Sequence, residues 1–376
     1  MSGALGFFLN AAGLFVPLAL QAQYANQAEA PKEATAVQII TGSGKGGSPG
    51  GNVPHIALWD DAGNRIGQYH AGRKEKINDG KHATIIVPHN QNKYEQADPY
   101  YIMLSNFEHD AICIAAVTVA NQKISGTFYG DTGYMCGQSW FLSENRIGSN
   151  FQKPKCVWLD GDHTNGINAR AISFHLNDLA PNRDKLAQYQ AQPETLCQST
   201  PRFSFWGNLL PDGIIPFFKP PLQYKEDSTN SGEGADVDLS RVVDRKGQYD
   251  KSVYLHQGEK KFRLKARTSF RRNSTANGSN HNPDHLIITD QKDDDVRAVC
   301  EHPNSYGWDI VSTVQNLYCD MVHKQLYQVC DGKGVKDYCF DLKAKTIIPK
   351  QGISGRDEFA AHVPNKAYTS QSHWKS

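Results

Sequence analysis

The densest group of polar side chains lies at residues 160–166, in the run Asp-Gly-Asp-His-Thr-Asn-Gly. Two carboxylates, an imidazole and an amide follow a predicted strand, a position where loops often carry function. Asp160, Asp162 and His163 could form a general acid and base, because a carboxylate orients and charges a neighbouring imidazole. This is the first of three interpretations, and it predicts an enzyme.

The second interpretation is a calcium loop. Asp160, Asp162 and Thr164 stand at alternate positions, as in the start of an EF-hand, which supplies several oxygens to one ion. The sixth position is Asn165 instead of glycine and the twelfth is Ala171 instead of glutamate, so the motif is incomplete. The third interpretation is an ordinary turn, since Asp and Asn side chains bond their own backbone. We expect the turn, with no metal and no cofactor.

A second group combines aromatic and acidic side chains, which suit sugar binding because sugar rings stack on aromatic faces and their hydroxyls bond carboxylates. Its members are Asp131, Tyr134, Trp140 and Trp158. The alternative is core packing, because tryptophans near paired cysteines usually fill the interior of secreted domains. Both interpretations remain open at the level of sequence.

Two glycine-rich matches carry little chemistry. Residues 46–50 read Gly-Gly-Ser-Pro-Gly and match the nucleophile elbow of hydrolases in form, but that elbow joins a strand to a helix. Here a strand is predicted to follow. The preceding Gly44-Lys45 lacks the glycine spacing of a phosphate-binding loop. We expect a surface loop.

Eight cysteines form two sets of four, one on each side of a long cysteine-free stretch: Cys113, Cys136, Cys156 and Cys197, then Cys300, Cys319, Cys330 and Cys339. The even number predicts that all are paired. In the second set we expect Cys300–Cys319 and Cys330–Cys339, because both close short loops; the first set stays open. No Cys-x-x-Cys pair is present, which argues against zinc.

The amino terminus resembles a secretion signal. No charged residue precedes Glu29, and residues 14–20 are apolar with small residues after them. We predict a signal peptide over residues 1–25, cleaved after Ala22 or Ala25, and an extracellular, oxidising destination. The apolar run is too short and too interrupted to span a bilayer. In that setting, Asn273 and Asn277 become glycosylation acceptors.

Short alternating apolar segments joined by Gly, Pro, Asn and Asp predict a mainly β fold. We expect a β-sandwich of jelly-roll or PLAT-like type over residues 34–210, with residues 156–160 and 167–176 paired as a hairpin. One helix is predicted over residues 181–192. A linker at 211–235, a cysteine-rich region at 236–355 and a flexible tail at 356–376 complete the chain. The net charge of +1 argues against nucleic-acid binding.

Three segments resemble a group of cysteine-rich secreted proteins of filamentous fungi that have no assigned activity. They are residues 129–137 with Trp140, residues 155–166, and residues 317–321 with the cysteines that follow. This resemblance implies an extracellular protein and no particular chemistry. The first half, with Thr41-Gly42, a glycine-rich loop and a later tryptophan, is also similar to the β-sandwich docking domain of lipoxygenases and pancreatic lipases. Asn52-Val-Pro stands where that domain has Gly-Thr-Asp.

Two functions follow. The first is a non-enzymatic binding or effector-like protein that acts on a host, cell-wall or matrix component, with an extracellular glycan or a host protein as partner. The alternative is a carbohydrate-active hydrolase or lyase that uses Asp160, Asp162 and His163. An enzyme needs titratable groups that converge in a cleft. Convergence of Asp162 and His163 with Asp131 would therefore favour the enzyme.

Overall fold

The computed structural model describes residues 33–44, 49–95, 97–121, 123–147, 153–179, 182–192, 194–226, 234–237, 284–332, 334–349 and 366–375. The predicted signal peptide and the acceptors Asn273 and Asn277 lie outside these residues. The fold is mainly β, as expected. The chain divides into two units, one formed by residues up to Gly42 and Pro49–Ser279, the other by Ser43–Ser48 and Asn280–Ser376.

The described part of the first unit contains thirteen strands. In chain order they are β1 (Ala34–Thr41), β2 (Gly51–Asn52), β3 (His55–Trp59), β4 (Arg65–Tyr69), β5 (Lys76–Ile77), β6 (His82–Pro88), β7 (Tyr101–Ser105), β8 (Ile112–Ala120), β9 (Ser125–Tyr129), β10 (Trp140–Phe141), β11 (Cys156–Leu159), β12 (Ala171–His175) and β13 (Phe203–Trp206). All their pairings are antiparallel.

The first sheet is built around β8. Its order is β10-β11-β8-β1-β6, and β9 shares the edge of β8 that β11 occupies. Strand β8 pairs with β1 along one edge; along the other, Ile112–Ile114 face β11 and Ala116–Ala120 face β9. Every residue of β8 is buried. Its run of small and β-branched residues suits a strand that is covered on both faces.

The second sheet has the order β13-β12-β7-β3-β4. On one face, Phe174 of β12 and Phe203 of β13 stack on Phe128 of the first sheet, with ring centroids 5.4 and 5.5 Å apart. On the other face, Trp59, Tyr101, Met103 and Trp206 belong to a buried cluster with Ile215. Alternation along each strand thus gives two apolar faces, each with its own cover.

The cover of that second face is the segment predicted as a linker. Tyr101 Oη accepts the backbone N–H of Phe218, and Arg65 donates to the carbonyls of Pro211 and Gly213. Phe218 is buried. The start of the predicted linker is therefore part of the first unit, because Ile215 and Phe217 pack on the sheet.

Three short helices lie in the described part of the first unit: α1 (Gly130–Met135), α2 (Arg183–Ala191) and α3 (Glu194–Gln198). The predicted helix over 181–192 corresponds to α2. Asn182 caps α2, since its side chain accepts from the N–H groups of Asp184 and Lys185. The predicted hairpin of residues 156–160 with 167–176 is wrong: β11 and β12 belong to different sheets, and the loop between them crosses from one sheet to the other.

The described elements of the second unit are β14 (His285–Thr289), α4 (Val296–Glu301), β15 (Asp309–Ser312), β16 (Leu317–Asp320), β17 (Gln325–Gln328), β18 (Cys339–Asp341), β19 (Thr346–Ile348) and β20 (Ser370–Trp374). Five of these strands form a sheet of order β17-β16-β15-β14-β20. Strand β14 runs parallel to β15 and β20. The predicted flexible tail is wrong for this last strand, because β20 pairs with β14 and Trp374 is buried.

All eight cysteines are paired: Cys113–Cys156, Cys136–Cys197, Cys300–Cys319 and Cys330–Cys339. The last two are the pairs expected from the sequence. In the first unit, one bridge joins β8 to its neighbour β11, and the other joins the end of α1 to α3. The Cys113–Cys156 bridge thus fastens two strands that already pair.

Candidate functional site

All five strands of the second sheet have one terminus at the same end of the sheet. The register places His55 opposite Ser105, Ser105 opposite Ala171, and Ala171 opposite Trp206. Because Ile56 pairs with Tyr69, the next position places His55 opposite His70. We call this end of the sheet, together with the loops that leave it, the loop end. Residues 160–170 form the loop that leads into β12, so the polar residues 160–166 lie at the loop end.

Asp160 is fully buried at the loop end and bonds its own loop. Its Oδ1 accepts the N–H of Asp162 at 3.3 Å, and its Oδ2 accepts the hydroxyl of Thr164 at 3.1 Å. Asp162 also accepts from the N–H two residues further along the chain, since its Oδ1 accepts the N–H of Thr164 at 3.2 Å. These are the side-chain-to-backbone bonds that a turn of Asp residues makes.

The pKa values of the two carboxyls are shifted in opposite directions. Burial, followed by the negative charge of Asp162, raises the pKa of Asp160 to about 8. Burial would raise the pKa of Asp162, but hydrogen bonds from Asp160, Thr164 and His109 outweigh burial and lower this pKa. At neutral pH the pair therefore shares one proton, which Asp160 holds. Such a pair can serve as acid and base, or it can simply close a turn.

The remaining polar side chains of the loop contact different partners. Asp162 Oδ2 lies 3.2 Å from His109 Nδ1, whereas His163 Nε2 lies 3.3 Å from Asn208 Oδ1. His163 adopts a left-handed conformation with φ 58°, and burial lowers the pKa of its imidazole. Asp162 and His163 are therefore neighbours that point to separate partners.

Arg170 also belongs to this site, and the sequence did not single it out. Its guanidinium donates to the carbonyl of Gly161, and burial lowers its pKa while the charges of Asp160 and Asp162 raise it. Arg170 thus ties the start of the loop to its end. His109 and Asn208 were missed as well, because they come from loops that are distant in sequence.

The calcium interpretation finds little support in this geometry. Thr164 donates its hydroxyl hydrogen to Asp160, so the two oxygens face each other instead of a common centre. Among the residues that the structure describes, no group of three or more His, Cys, Asp or Glu side chains is arranged to hold a metal ion.

The aromatic group predicted for sugar binding is partly assembled. Asp131 is buried and its Oδ1 lies 3.3 Å from Lys155 Nζ, which in turn lies 4.5 Å from the ring centroid of Tyr134. Tyr134 and Trp140 meet edge to face with centroids 4.6 Å apart. Burial, opposed by Lys155, raises the pKa of Asp131.

The tryptophans of this group do not offer a stacking surface. Trp140 is 1% exposed and Trp158 is 0% exposed. Trp158 lies on β11 two residues after the bridged Cys156, and its carbonyl accepts from the buried Gln138 side chain. This placement corresponds to the core-packing alternative.

A second cluster, which the sequence did not reveal, surrounds the buried Asp178. Its Oδ1 accepts from Arg202 at 2.6 Å, from Tyr189 at 2.7 Å and from Tyr224 at 2.6 Å. On the other side, Arg202 reaches Asp236 Oδ2 at 2.5 Å. Arg202 is completely buried, so both carboxylates compensate a charge that has no access to water.

The electrostatics of the cluster are those of a closed ion-pair network. Burial would raise the pKa of Asp178, but Arg202 outweighs it and holds the pKa well below its usual range. Burial would lower the pKa of the Arg202 guanidinium, but the negative charge of Asp178 outweighs burial and raises this pKa well above its ordinary value. Both groups are therefore ionised throughout the physiological range.

His175 lies at the rim of this network. Its Nδ1 is 3.1 Å from Asp178 Oδ2, and its Nε2 is 3.7 Å from Asp61 Oδ1. Burial would lower the pKa of this imidazole, but its hydrogen bond to Asp178 and the nearby negative charge of Asp61 outweigh burial and raise the pKa. The ring is buried against Tyr101 at 4.5 Å between centroids, so reactants do not reach it in this conformation.

No helix among the described residues is long and apolar enough to cross a bilayer. No family model, no curated protein and no solved structure matches this chain.

Proposed function

We propose that this protein is a secreted, glycosylated binding protein of the kind that filamentous fungi export, and that it recognises a protein on a host, cell wall or matrix without catalysing a reaction. In this proposal the two sheets of the first unit form a β-sandwich, and the loop end carries the binding surface. The four disulfides support an oxidising destination.

The observation that carries this proposal is that the candidate catalytic side chains do not converge. Asp162 contacts His109, His163 contacts Asn208, and Asp131 contacts Lys155. An acid–base mechanism requires its groups within reach of one reacting atom. The cluster around Asp178 meets that condition less well, because its acceptors already bond buried donors of the chain.

Exposed apolar side chains at the loop end and on the segment that leaves it suggest where binding occurs. Phe107 is 49% exposed, Leu210 is 48% exposed and Ile214 is 77% exposed. We call these three residues the apolar rim. The segment that carries two of them is held to the sheet, since Ser105 Oγ donates to the carbonyl of Leu209 at 2.8 Å.

The chemistry of the apolar rim favours a protein over a glycan. Sugar sites rely on aromatic faces, and the tryptophans Trp140 and Trp158 are in the core. Leu210 and Ile214 are aliphatic, and exposed aliphatic side chains framed by polar groups are typical of protein-binding surfaces.

The experiment measures binding of fluorescently labelled, full-length protein to intact host and fungal cell walls. We expect binding to be lost after protease treatment of the wall, retained after polysaccharide digestion, and reduced at least 10-fold in the double variant Leu210→Ser/Ile214→Ser. The matched control is Val314→Ser/Val322→Ser, which changes two comparably exposed residues of the second unit.

Three outcomes would contradict the proposal. Binding that resists protease but disappears after polysaccharide digestion indicates a glycan. Equal losses in the test and control variants exclude the apolar rim. Release of soluble sugars from wall polymers by the wild type, abolished by Asp162→Asn at an unchanged melting temperature, establishes the hydrolase or lyase instead.

A further inference from the structure

Two histidines meet on neighbouring strands at the loop end. His55 begins β3 and His70 directly follows β4, so the antiparallel register sets them opposite each other. Side chains in this relation leave the same face of the sheet with their Cβ atoms about 5 Å apart. His55 is partly exposed and His70 is exposed, so both imidazoles are accessible from solvent.

The two rings approach each other through the same kind of atom. His55 Nδ1 and His70 Nδ1 are 3.3 Å apart, and the ring planes are inclined by 79°. As a hydrogen bond between two imidazoles this distance is long, since N–H donors usually lie about 2.7–3.2 Å from their acceptors. Two nitrogens that share a tetrahedral metal ion at about 2.0–2.1 Å each would be separated by about 3.3 Å.

The charges around the pair favour a cation. The carboxylates of Glu108, Asp212 and Glu75 act electrostatically on His55 and place negative charge around the pair. A metal ion between the two imidazoles would supply positive charge that these carboxylates attract.

We propose that His55 and His70 form a binding site for a divalent transition-metal ion of the zinc class, held by two imidazole Nδ1 atoms with the remaining positions open to water or to a partner's side chain. The chain supplies two ligands here, so the site is exchangeable and of moderate affinity. The imidazoles select zinc and copper over calcium or magnesium, which prefer oxygen ligands. The His55 ring meets Phe107 of the apolar rim edge to face, with centroids 5.8 Å apart, but the proposed ligands are the two imidazoles alone.

The test is zinc titration calorimetry on the full-length protein without a histidine tag. We expect one zinc ion per chain in the wild type and at least a 10-fold weaker affinity in both His55→Ala and His70→Asn. Asparagine retains hydrogen-bonding capacity at position 70 and removes the imidazole ligand. The matched control is His82→Ala, an exposed histidine at the start of β6 in the first sheet, which should bind zinc as the wild type does.

A second measurement needs no variant. Zinc should protect His55 and His70 of the wild type from diethyl pyrocarbonate, as read by peptide mass spectrometry, while His82 stays reactive. The proposal is overturned if zinc leaves the modification of both residues unchanged, if the double variant His55→Ala/His70→Ala binds zinc with wild-type affinity, or if His82→Ala weakens binding equally.

Discussion

The buried carboxyl of Asp160 makes a sharp prediction about stability and pH. Replacement of Asp160 by Asn imitates the protonated acid, because the amide oxygen can still accept the N–H of Asp162 and the amide N–H₂ can donate to the hydroxyl oxygen of Thr164. The variant keeps the neutral form at every pH. The wild type must ionise, and it does so in a site that excludes water.

The sign of the effect follows from the two pKa values. The pKa of Asp160 is about 8 in the folded chain, and it is about 3.9 in an unfolded one. The folded state therefore binds the extra proton between these values, and wild-type stability falls as the pH rises from about 4 to about 8. The full difference corresponds to about 5.6 kcal/mol. Because Asp160 and Asp162 titrate as a pair, we expect about 2–4 kcal/mol.

The assay is urea unfolding at fixed pH values from 5 to 9, with disulfides intact and tryptophan fluorescence as the signal. The free energy of unfolding of Asp160→Asn minus that of the wild type should increase with pH and level off above pH 8. The variant Asp162→Asn is the matched control: it removes the neighbouring charge but leaves the burial, so part of the wild-type pH dependence should remain.

Parallel curves for the wild type and Asp160→Asn between pH 5 and 8 would refute this reasoning. They would mean that Asp160 is already ionised in the fold, and the interpretation of the 160–166 loop as a proton-sharing turn would fail with it.

Three further predictions concern the rest of the chain. Denatured but unreduced protein should contain no reactive thiol by colorimetric titration, since all eight cysteines are bridged. Asp178→Ala should destabilise the fold by about 3–5 kcal/mol in urea unfolding, because it leaves the charge of buried Arg202 undercompensated; a loss below about 1 kcal/mol contradicts the closed network. Gly51→Ala should lower the melting temperature, because its Cβ would overlap the carbonyl oxygen of Ala111; an unchanged melting temperature would mean that these two backbone segments separate easily.

Local sequence patterns predicted the strands well and their partners poorly. The buried strand β8 and the helix α2 are visible in the sequence, because apolar runs and end caps are properties of neighbouring residues. The assignment of β11 and β12 to different sheets is not visible, since two successive strands of similar character usually form a hairpin. The tail strand β20 was missed for a related reason: only its pairing with β14 gives its polar residues a structure.

The candidate sites show the same division. The run at 160–166 was identified because its members are adjacent in the sequence. The ion-pair network of Asp178 with Arg202 and Asp236 was not, because the arginine and the two acids come from separate segments. The opposed histidines His55 and His70 depend on strand register, which a single sequence does not specify.

The four disulfides cross-link each half of the chain internally, and none of them joins one half to the other. Two bridges close within the first unit and two within the second, and no cysteine lies between Cys197 and Cys300. A single peptide cleavage in that interval would produce two fragments that no covalent bond holds together. Proteolytic release of either half would then need no reductant. On a non-reducing gel, such a cut would appear at once as two bands.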